Sequence, residues 1–394
     1  MSTAIYATHP DEHLRAAAAS IDITPIEPIP LAGFRGRDTP FERVDTSLEA
    51  NAVAFRLNDQ RCAVLVTLDS LFVGPTLTKA LTEHFVHLHK QIASDLIVVA
   101  SHTHFAPSLD ITKPALGVVA PRYLDFVVQR CRELIDRVLI MRQSTVTIAR
   151  HQGASRTAIN RRRKWLLPYL YNRAIVPPQT VMAPNPTGAI DPTITGWNIV
   201  GESGIVAVVW HYACHPTGYA HPLRVSSEYP GVVREHLRRR HGSALPVLFL
   251  QGFAGDIRPR VLETRPPITR FRKAILFGPS FDSFKPATWR DWSEELANDV
   301  MQTIDLPAPS AAEVEGRSLI ESASHAIPLS SLVAQESSQR LVKFQRLRLG
   351  PAFDLVAVAA EPLTGLQALS PIGDAIGVGY LGHESRQAVL VQSA

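Results

Sequence analysis

Short apolar runs that stop at polar clusters are the feature of this sequence that most restricts its fold. Leu96–Ala100 leads into Ser-His-Thr-His, Gly204–Tyr212 leads into Ala-Cys-His-Pro, and Leu355–Ala360 leads into Glu-Pro. Runs of this length, rich in β-branched residues, are typical of buried strands. Amphipathic patterns over Leu77–His89 and Tyr123–Met141 predict helices between them. The alternation predicts an α/β fold, a mixed β-sheet sandwich flanked by helices.

The remaining elements fit the same architecture. Two further helices are expected at Gly231–Arg240 and Trp289–Ile304, and residues 155–200 are predicted to be irregular. Since no stretch divides the chain convincingly, residues 1–394 are expected to form one domain, with an arm over residues 1–17 and a lid or insert over 260–286. Further strands are predicted at Ala18–Thr24, Ala50–Leu57, Cys62–Leu68, Val146–Arg150, Pro246–Gln251, 314–328 and Leu341–Leu349.

Composition excludes several classes of protein. Hydrophobic residues make up 45% of the 394 residues, which is enough for a packed core, and a net charge of +4 is too small to indicate a nucleic-acid partner. The three widely spaced cysteines form neither a disulfide framework nor a thiolate zinc site. No apolar run approaches the roughly 20 residues of a transmembrane helix. The first twenty residues lack the apolar core of a signal peptide, so a cytoplasmic protein is expected.

Histidines and a glutamate follow the predicted strands. His102 and His104 lie two residues apart, so an extended backbone would point both imidazoles to one side, although two exposed loop histidines would give the same pattern. His215 stands where the next strand ends, whereas His211 lies inside that strand and is interpreted as a core residue. Glu361 ends the last apolar strand, where a carboxylate is costly unless it is paired or bound to a cation.

Two glycine-rich segments complete the candidate site. Residues 377–384 place Tyr380 and His383 in a tight turn, which either reaches the site or simply closes the fold. Residues 252–259 follow a strand and have the character of an anion nest, without the lysine of a P-loop. Because strand ends at one sheet edge converge, two histidines and a glutamate there predict a catalytic zinc site with an open position for water.

The motifs resemble those of the neutral/alkaline (non-lysosomal) ceramidase family, in its N-terminal catalytic domain. The similarity runs in the family's order from near residue 18 to near residue 383. The His-Thr-His pair, followed by Cys-His-Pro-Thr and then Gly-Asp-x-x-Pro, is its most specific part. The matching stretches are ASIDITP, VTLDSLFVG, VVASHTHFAP, INRR, YACHPTG, SSEYPG, LQGFAGDIRP, AAEPLTG and GYLGH.

The resemblance implies a role for each matching residue. It implies Zn²⁺ bound by His102, His215 and Glu361, with His383 in place of the family's tyrosine as fourth ligand. It also implies that His104 contacts the substrate carbonyl and that Arg161 lies near the reacting centre. Two departures stand out: Arg258 replaces the serine of the Gly-Asp-Val-Ser-Pro motif, and the chain shows neither the family's C-terminal β-sandwich nor its secretion signal. A shorter, signal-less relative is therefore expected, with ceramide itself a doubtful substrate.

These residues together predict a zinc-dependent hydrolase that cleaves a C–N amide bond by zinc-activated water. The substrate is expected to be a small acyl amide or ester, and the oligomeric state is left open. Tyr380 and His104 are both candidates for the general acid. Arg258, Arg35 and Arg37 are predicted to bind an anionic group of the substrate, although solvated surface arginines explain the last two equally well. Alternatives are an esterase or lactonase, a peptidase, and a member that binds an acyl ligand without turnover.

Overall fold

The structure of the protein is a computed structural model. The structure describes residues 2–7, 13–57, 62–92, 95–165, 179–262, 280–282, 284–306, 319–328, 341–364, 375–381 and 386–389. The predicted 260–286 lid and His383 fall largely or wholly outside these residues. In the described part, no helix combines the length and the apolar character needed to cross a membrane.

The described elements are four α-helices, one short 3-10 helix at Pro114–Leu116 and twenty strands. The helices are α1 Pro75–His89, α2 Pro121–Ile140, α3 Glu228–His241 and α4 Pro286–Ile304. The strands are β1 Ser2–Ala7, β2 Arg15–Asp22, β3 Arg43–Val44, β4 Glu49–Arg56, β5 Cys62–Leu68, β6 Leu96–Ala100, β7 Ser144–Ala154, β8 Ala158–Trp165, β9 Gln179–Asn185, β10 Thr193–Gly201, β11 Gly204–Tyr212, β12 Arg224–Val225, β13 Val247–Gln251, β14 Ile257–Pro259, β15 Leu319–Pro328, β16 Leu341–Leu349, β17 Phe353–Val358, β18 Ala360–Pro362, β19 Ile376–Val378 and β20 Arg386–Val389.

Two large sheets form the body of the molecule. The first has eight strands in the order β13-β11-β10-β7-β2-β4-β5-β6, and the second has five in the order β1-β15-β16-β17-β19. Strand β5 shows why they stack: Ala63 and Leu65 face the core between the sheets, whereas Val64 and Val66 face the helices α1 and α2. Helices α3 and α4 cover the other half of the first sheet. The predicted sandwich flanked by helices is confirmed.

The eight-stranded sheet is divided into two halves, and this division positions the site. Strand β7 pairs with β2 only at its first residues, Ser144 and Thr145, and then continues along β10. The successive pairings make β6 and β11 run in opposite senses along the sheet. Strand β13 nevertheless contacts β4, β5 and β6. The strand ends therefore meet because the two halves of the sheet approach each other, rather than by sharing one edge as the sequence suggested.

Residues 155–200 differ most from expectation. Where irregular structure was predicted, strand β8 lies between β9 and β14 in a small antiparallel sheet, and β10 belongs to the large one. The basic residues 161–164 and the nearby prolines hid the strand pattern in the sequence, since β-strand formation depends more on pairing partners than on local composition. Strand β7 is likewise longer than the predicted Val146–Arg150.

Candidate metal centre

Three buried imidazoles converge where β6 and β11 end. The Nε2 atom of His102 lies 3.0 Å from Nε2 of His215 and 3.4 Å from Nε2 of His104. A ligand atom from each of the three histidines lies within 4.8 Å of the others. The extended backbone does not continue past β6, because His102 adopts a left-handed conformation with φ 64°. The two imidazoles of the His-Thr-His motif thus meet through a turn and not through the strand alternation that was predicted.

Backbone carbonyls fix the tautomers of the two most buried histidines. Nδ1–H of His102 donates to the carbonyl of Leu71 at 2.8 Å, and Nδ1–H of His215 donates to that of Ala254 at 3.1 Å. A carbonyl oxygen only accepts hydrogen bonds, so the proton of each neutral ring lies on Nδ1. The Nε2 lone pairs of these two rings therefore face each other across 3.0 Å. Two lone pairs at this distance repel unless a cation lies between them.

Burial keeps the cluster unprotonated. Desolvation lowers the pKa of His102 to about 3, and it lowers the pKa values of His104 and His215 well below the usual value for histidine. The positive charge of Arg161 lowers all three further. Neutral imidazole is the form that binds a metal, so these rings are ready to act as ligands at neutral pH.

Glu361 brings a carboxylate to the same place. Its Oε1 lies 3.8 Å from Nε2 of His215 and 3.4 Å from the Nη2 of Arg161. Burial raises the pKa of Glu361, while Arg161 opposes that rise. Arg161 is held in place because its side chain donates to the carbonyl of Gly255, and its backbone N–H donates to that of Asp256. Three imidazole nitrogens and one carboxylate oxygen are a donor set that suits zinc and similar divalent metals.

Tyr380 covers one side of the cluster. Its ring stacks on His102 with a centroid distance of 3.8 Å and an interplanar angle of 16°. The segment is fixed between strand ends, since the Tyr380 N–H donates to Ala360 and its carbonyl accepts from Ala100. The hydroxyl is buried and has no hydrogen-bond partner among the described residues. Its backbone φ of 62° is left-handed, a conformation that costs energy in residues other than glycine and is often found at functional sites.

His104 lies on the more open side. It is 9% exposed, whereas His102 and His215 are each 2% exposed, and its ring contacts Phe34, which is 40% exposed. A side chain at Gly33 would collide with the imidazole, because a Cβ there would lie 2.4 Å from Nδ1 of His104. Of the three imidazoles, that of His104 is therefore the least buried.

The three arginines predicted to bind substrate have different surroundings. The guanidinium of Arg37 donates hydrogen bonds to backbone carbonyls, among them that of His104 at 2.5 Å. It therefore holds the loop of Phe34 in place. Arg35 is exposed. Arg258 lies 4.1 Å from the ring centroid of Phe281, and its Nε is buried with no hydrogen-bond partner among the described residues. Desolvation lowers the pKa of Arg258 to about 10, and no carboxylate in the described residues pairs with it.

Two buried carboxylates, Asp69 and Asp256, have partners other than the imidazoles of the cluster. Asp69 pairs with Arg234 at 2.9 Å, and Asp256 accepts hydrogen bonds from Thr364 and from the side chain of Asn160. Neither of them is hydrogen-bonded to an imidazole of the described residues, because backbone carbonyls already occupy the outer nitrogens of His102 and His215. The sequence carries no signal for such carbonyl partners.

Glu228 supports the segment that follows His215. This buried carboxylate accepts hydrogen bonds from the backbone of Gly218 at 2.5 Å and of Tyr229 at 2.7 Å, and from the Trp289 indole. Desolvation raises its pKa to about 7. Its φ of 60° makes it another left-handed residue near the cluster.

The architecture and the site define a class, an α/β sandwich with a histidine-rich centre between strand ends, and known structures share this fold. The crystal structure of neutral ceramidase from Pseudomonas aeruginosa superimposes with a TM-score of 0.67 over 96% of this chain and 69% of that chain, at 15% sequence identity. A ceramidase complexed with C2 gives 0.66 over 95% and 69%, also at 15% identity. The predicted resemblance is confirmed at the level of the fold. No protein-family model matches the sequence, and no curated protein matches it.

Proposed function

We propose that this protein is a metal-dependent hydrolase that cleaves a C–N amide bond with an activated water. The observation that carries the proposal is the pair of Nε2 atoms of His102 and His215, 3.0 Å apart with both protons fixed on Nδ1. The fold shared with neutral ceramidase, an amide hydrolase by name, supports the reaction type.

Zinc is the metal that this donor set favours. His102, His215 and Glu361 would hold it, and His104 lies beside them on the open side. A bound zinc supplies Lewis-acid activation of water and of an acyl carbonyl. His383 remains a proposed fourth ligand, outside the described residues.

The residues around the cluster suit acyl transfer to water. Arg161, fixed between Gly255 and Glu361, places a positive charge where an oxyanion would develop. The free hydroxyl of Tyr380 stays protonated, because burial raises its pKa well above the usual value. It can therefore donate a hydrogen bond to the reacting group. His104, the most accessible imidazole of the three, is the better candidate for passing a proton to the leaving amine.

The function is tested on purified protein with metal analysis and a panel of N-acyl amides, esters and peptides. We expect zinc to co-purify and amides to be cleaved, and we expect His102→Ala and His215→Ala to lose metal and activity together. His87→Ala is the matched control, since His87 is an exposed histidine on α1. Full activity in metal-free protein would refute the proposal. Cleavage of esters alone would replace it with an esterase.

His104→Ala separates two uses of this residue. If His104 contacts the substrate, the variant keeps its zinc and loses turnover. If His104 is instead a ligand, zinc is lost as well. The comparison with His102→Ala, measured in the same metal assay, decides between them.

Arg258 is proposed to select substrates that carry an anionic group. Its guanidinium has no carboxylate partner among the described residues, and two rings, Phe281 and Phe284, flank it at 4.1 and 5.7 Å. We expect Arg258→Met to raise KM about 10-fold or more for substrates with a carboxylate, because a charged hydrogen bond is lost. KM for neutral analogues should change little. An equal change for both kinds of substrate would contradict this role.

A further inference from the structure

A second group of metal-ligating side chains lies on the helices, away from the strand ends. It consists of His84 and His89 of α1 and Asp136 of α2. The Nε2 atoms of both histidines lie 2.6 Å from the same oxygen, Oδ1 of Asp136. The two rings meet edge to face with their centroids 5.4 Å apart. Three ligand atoms from two helices thus converge on one point.

The cluster is sheltered on one side and open on the other. The side chains of His84 and His89 are 13% and 18% exposed, whereas Asp136 is 39% exposed. The histidines are therefore partly fixed by packing, while the carboxylate has room to adjust. The exposed side of the cluster also leaves a position that water can occupy as a further ligand.

The helix dipoles favour a cation at this place. Helix α1 ends at His89, and Asp136 lies one turn before the end of α2 at Ile140. The negative ends of both helix dipoles consequently meet near the cluster, and this field stabilises positive charge. Two imidazoles that share one carboxylate oxygen already show the convergence that a metal ion requires.

We propose that His84, His89 and Asp136 form a second site for a divalent transition metal, with zinc the best-suited ion. Two imidazoles and a carboxylate are a common zinc set, and solvent completes the coordination. Ligand atoms around a tetrahedral zinc are about 3.3 Å apart, so the carboxylate must retreat by about 0.7 Å from its present contacts. The bound metal would join α1 to α2 and is independent of the proposed hydrolysis.

Zinc titration of the metal-free 394-residue chain tests this site. We expect the wild type to bind two equivalents of Zn²⁺ by calorimetry, and the variant His84→Ala/His89→Ala to bind one. His87→Ala, on the same helix, should still bind two. Hydrolytic activity should be unchanged in the double alanine variant, because its residues lie outside the central cluster.

A background without the central ligands isolates the second site. His102→Ala/His215→Ala protein should bind one equivalent of Zn²⁺ and show a rise in melting temperature on its addition. Asp136→Asn in that background should abolish both effects. Unchanged zinc binding after removal of His84 and His89 would overturn the proposal, and so would a melting temperature that responds to pH but not to zinc. If the protein binds Zn²⁺ at His84, His89 and Asp136 but not at the central histidines, the hydrolase proposal fails and the second site is supported.

Discussion

At the scale of single residues, two backbone hydrogen bonds decide the chemistry of the centre. The carbonyls of Leu71 and Ala254 hold the Nδ1 protons of His102 and His215, so each ring presents a lone pair to the other. On a protein surface, each of these two histidines could adopt either tautomer, and its ring nitrogens would form hydrogen bonds with water. Here their fixed orientation in a buried place brings both Nε2 lone pairs to one point.

Tyr380 provides the residue-scale prediction. Its hydroxyl is buried without a partner among the described residues, so Tyr380→Phe should stabilise the metal-free protein by about 1 kcal/mol. The same change should lower kcat about 100-fold, since one hydrogen-bond donor to the reacting group is lost. Chemical unfolding and steady-state kinetics, with zinc content measured in parallel, check both effects. A variant that is less stable and fully active would contradict the assignment.

At the scale of elements, strand β8 and the start of helix α3 build the surroundings of the cluster. Pairing of Arg258 with Ile159 brings β14 onto β8, and this contact places Arg161 over Glu361. Glu228 begins α3 and holds Gly218, in the segment after His215, by a hydrogen bond. The strand ends supply the histidines and Glu361, and these two elements support their surroundings.

The pKa of Glu228 gives the element-scale prediction. Burial raises this pKa from 4.5 to about 7 in the folded protein, so the carboxyl contributes stability below pH 4.5 that is lost as pH rises to about 7. Relative to Glu228→Gln, the wild type should lose up to about 3 kcal/mol of unfolding free energy across this range. Denaturant unfolding at several pH values measures the difference.

The control for this pH effect is Glu235→Gln, on the exposed face of the same helix. It should follow the wild type at every pH. If the curves of wild type and Glu228→Gln stay parallel, the raised pKa of Glu228 is wrong.

At the scale of the whole molecule, the centre joins parts of the chain that are distant in sequence. His102 and His215 come from the two halves of the divided sheet, and Glu361 from the region of β17 and β18. The unfolded chain cannot hold these groups together. A metal that binds here therefore stabilises the entire fold.

Metal removal gives the whole-molecule prediction. In a His84→Ala/His89→Ala background, zinc at about 1,000 times its Kd should add about 4 kcal/mol to the unfolding free energy. Thermal unfolding with zinc and with EDTA measures the change as a shift in Tm. Adding His102→Ala and His215→Ala should remove the shift. No shift in the parent background would contradict a metal at the strand ends.

The sequence by itself determined the fold class and the identity of the residues that meet at the centre. Apolar runs such as Leu96–Ala100 and Gly204–Tyr212 were predicted with the observed bounds, because burial on both faces leaves a local pattern. Strand β8 was missed, since its pattern depends on the strands that pair with it. His102, His215 and Glu361 followed from their positions at strand ends.

Only the tertiary structure decided how these residues are used. It showed that Arg37 supports a loop and that backbone carbonyls orient the histidines. It also showed that Asp136 contacts the imidazoles of two histidines on another helix. The reason is physical. Burial and fold class depend on the hydrophobicity of short segments, whereas tautomers and ligand convergence depend on contacts between residues far apart in the chain, which leave no local pattern in the sequence.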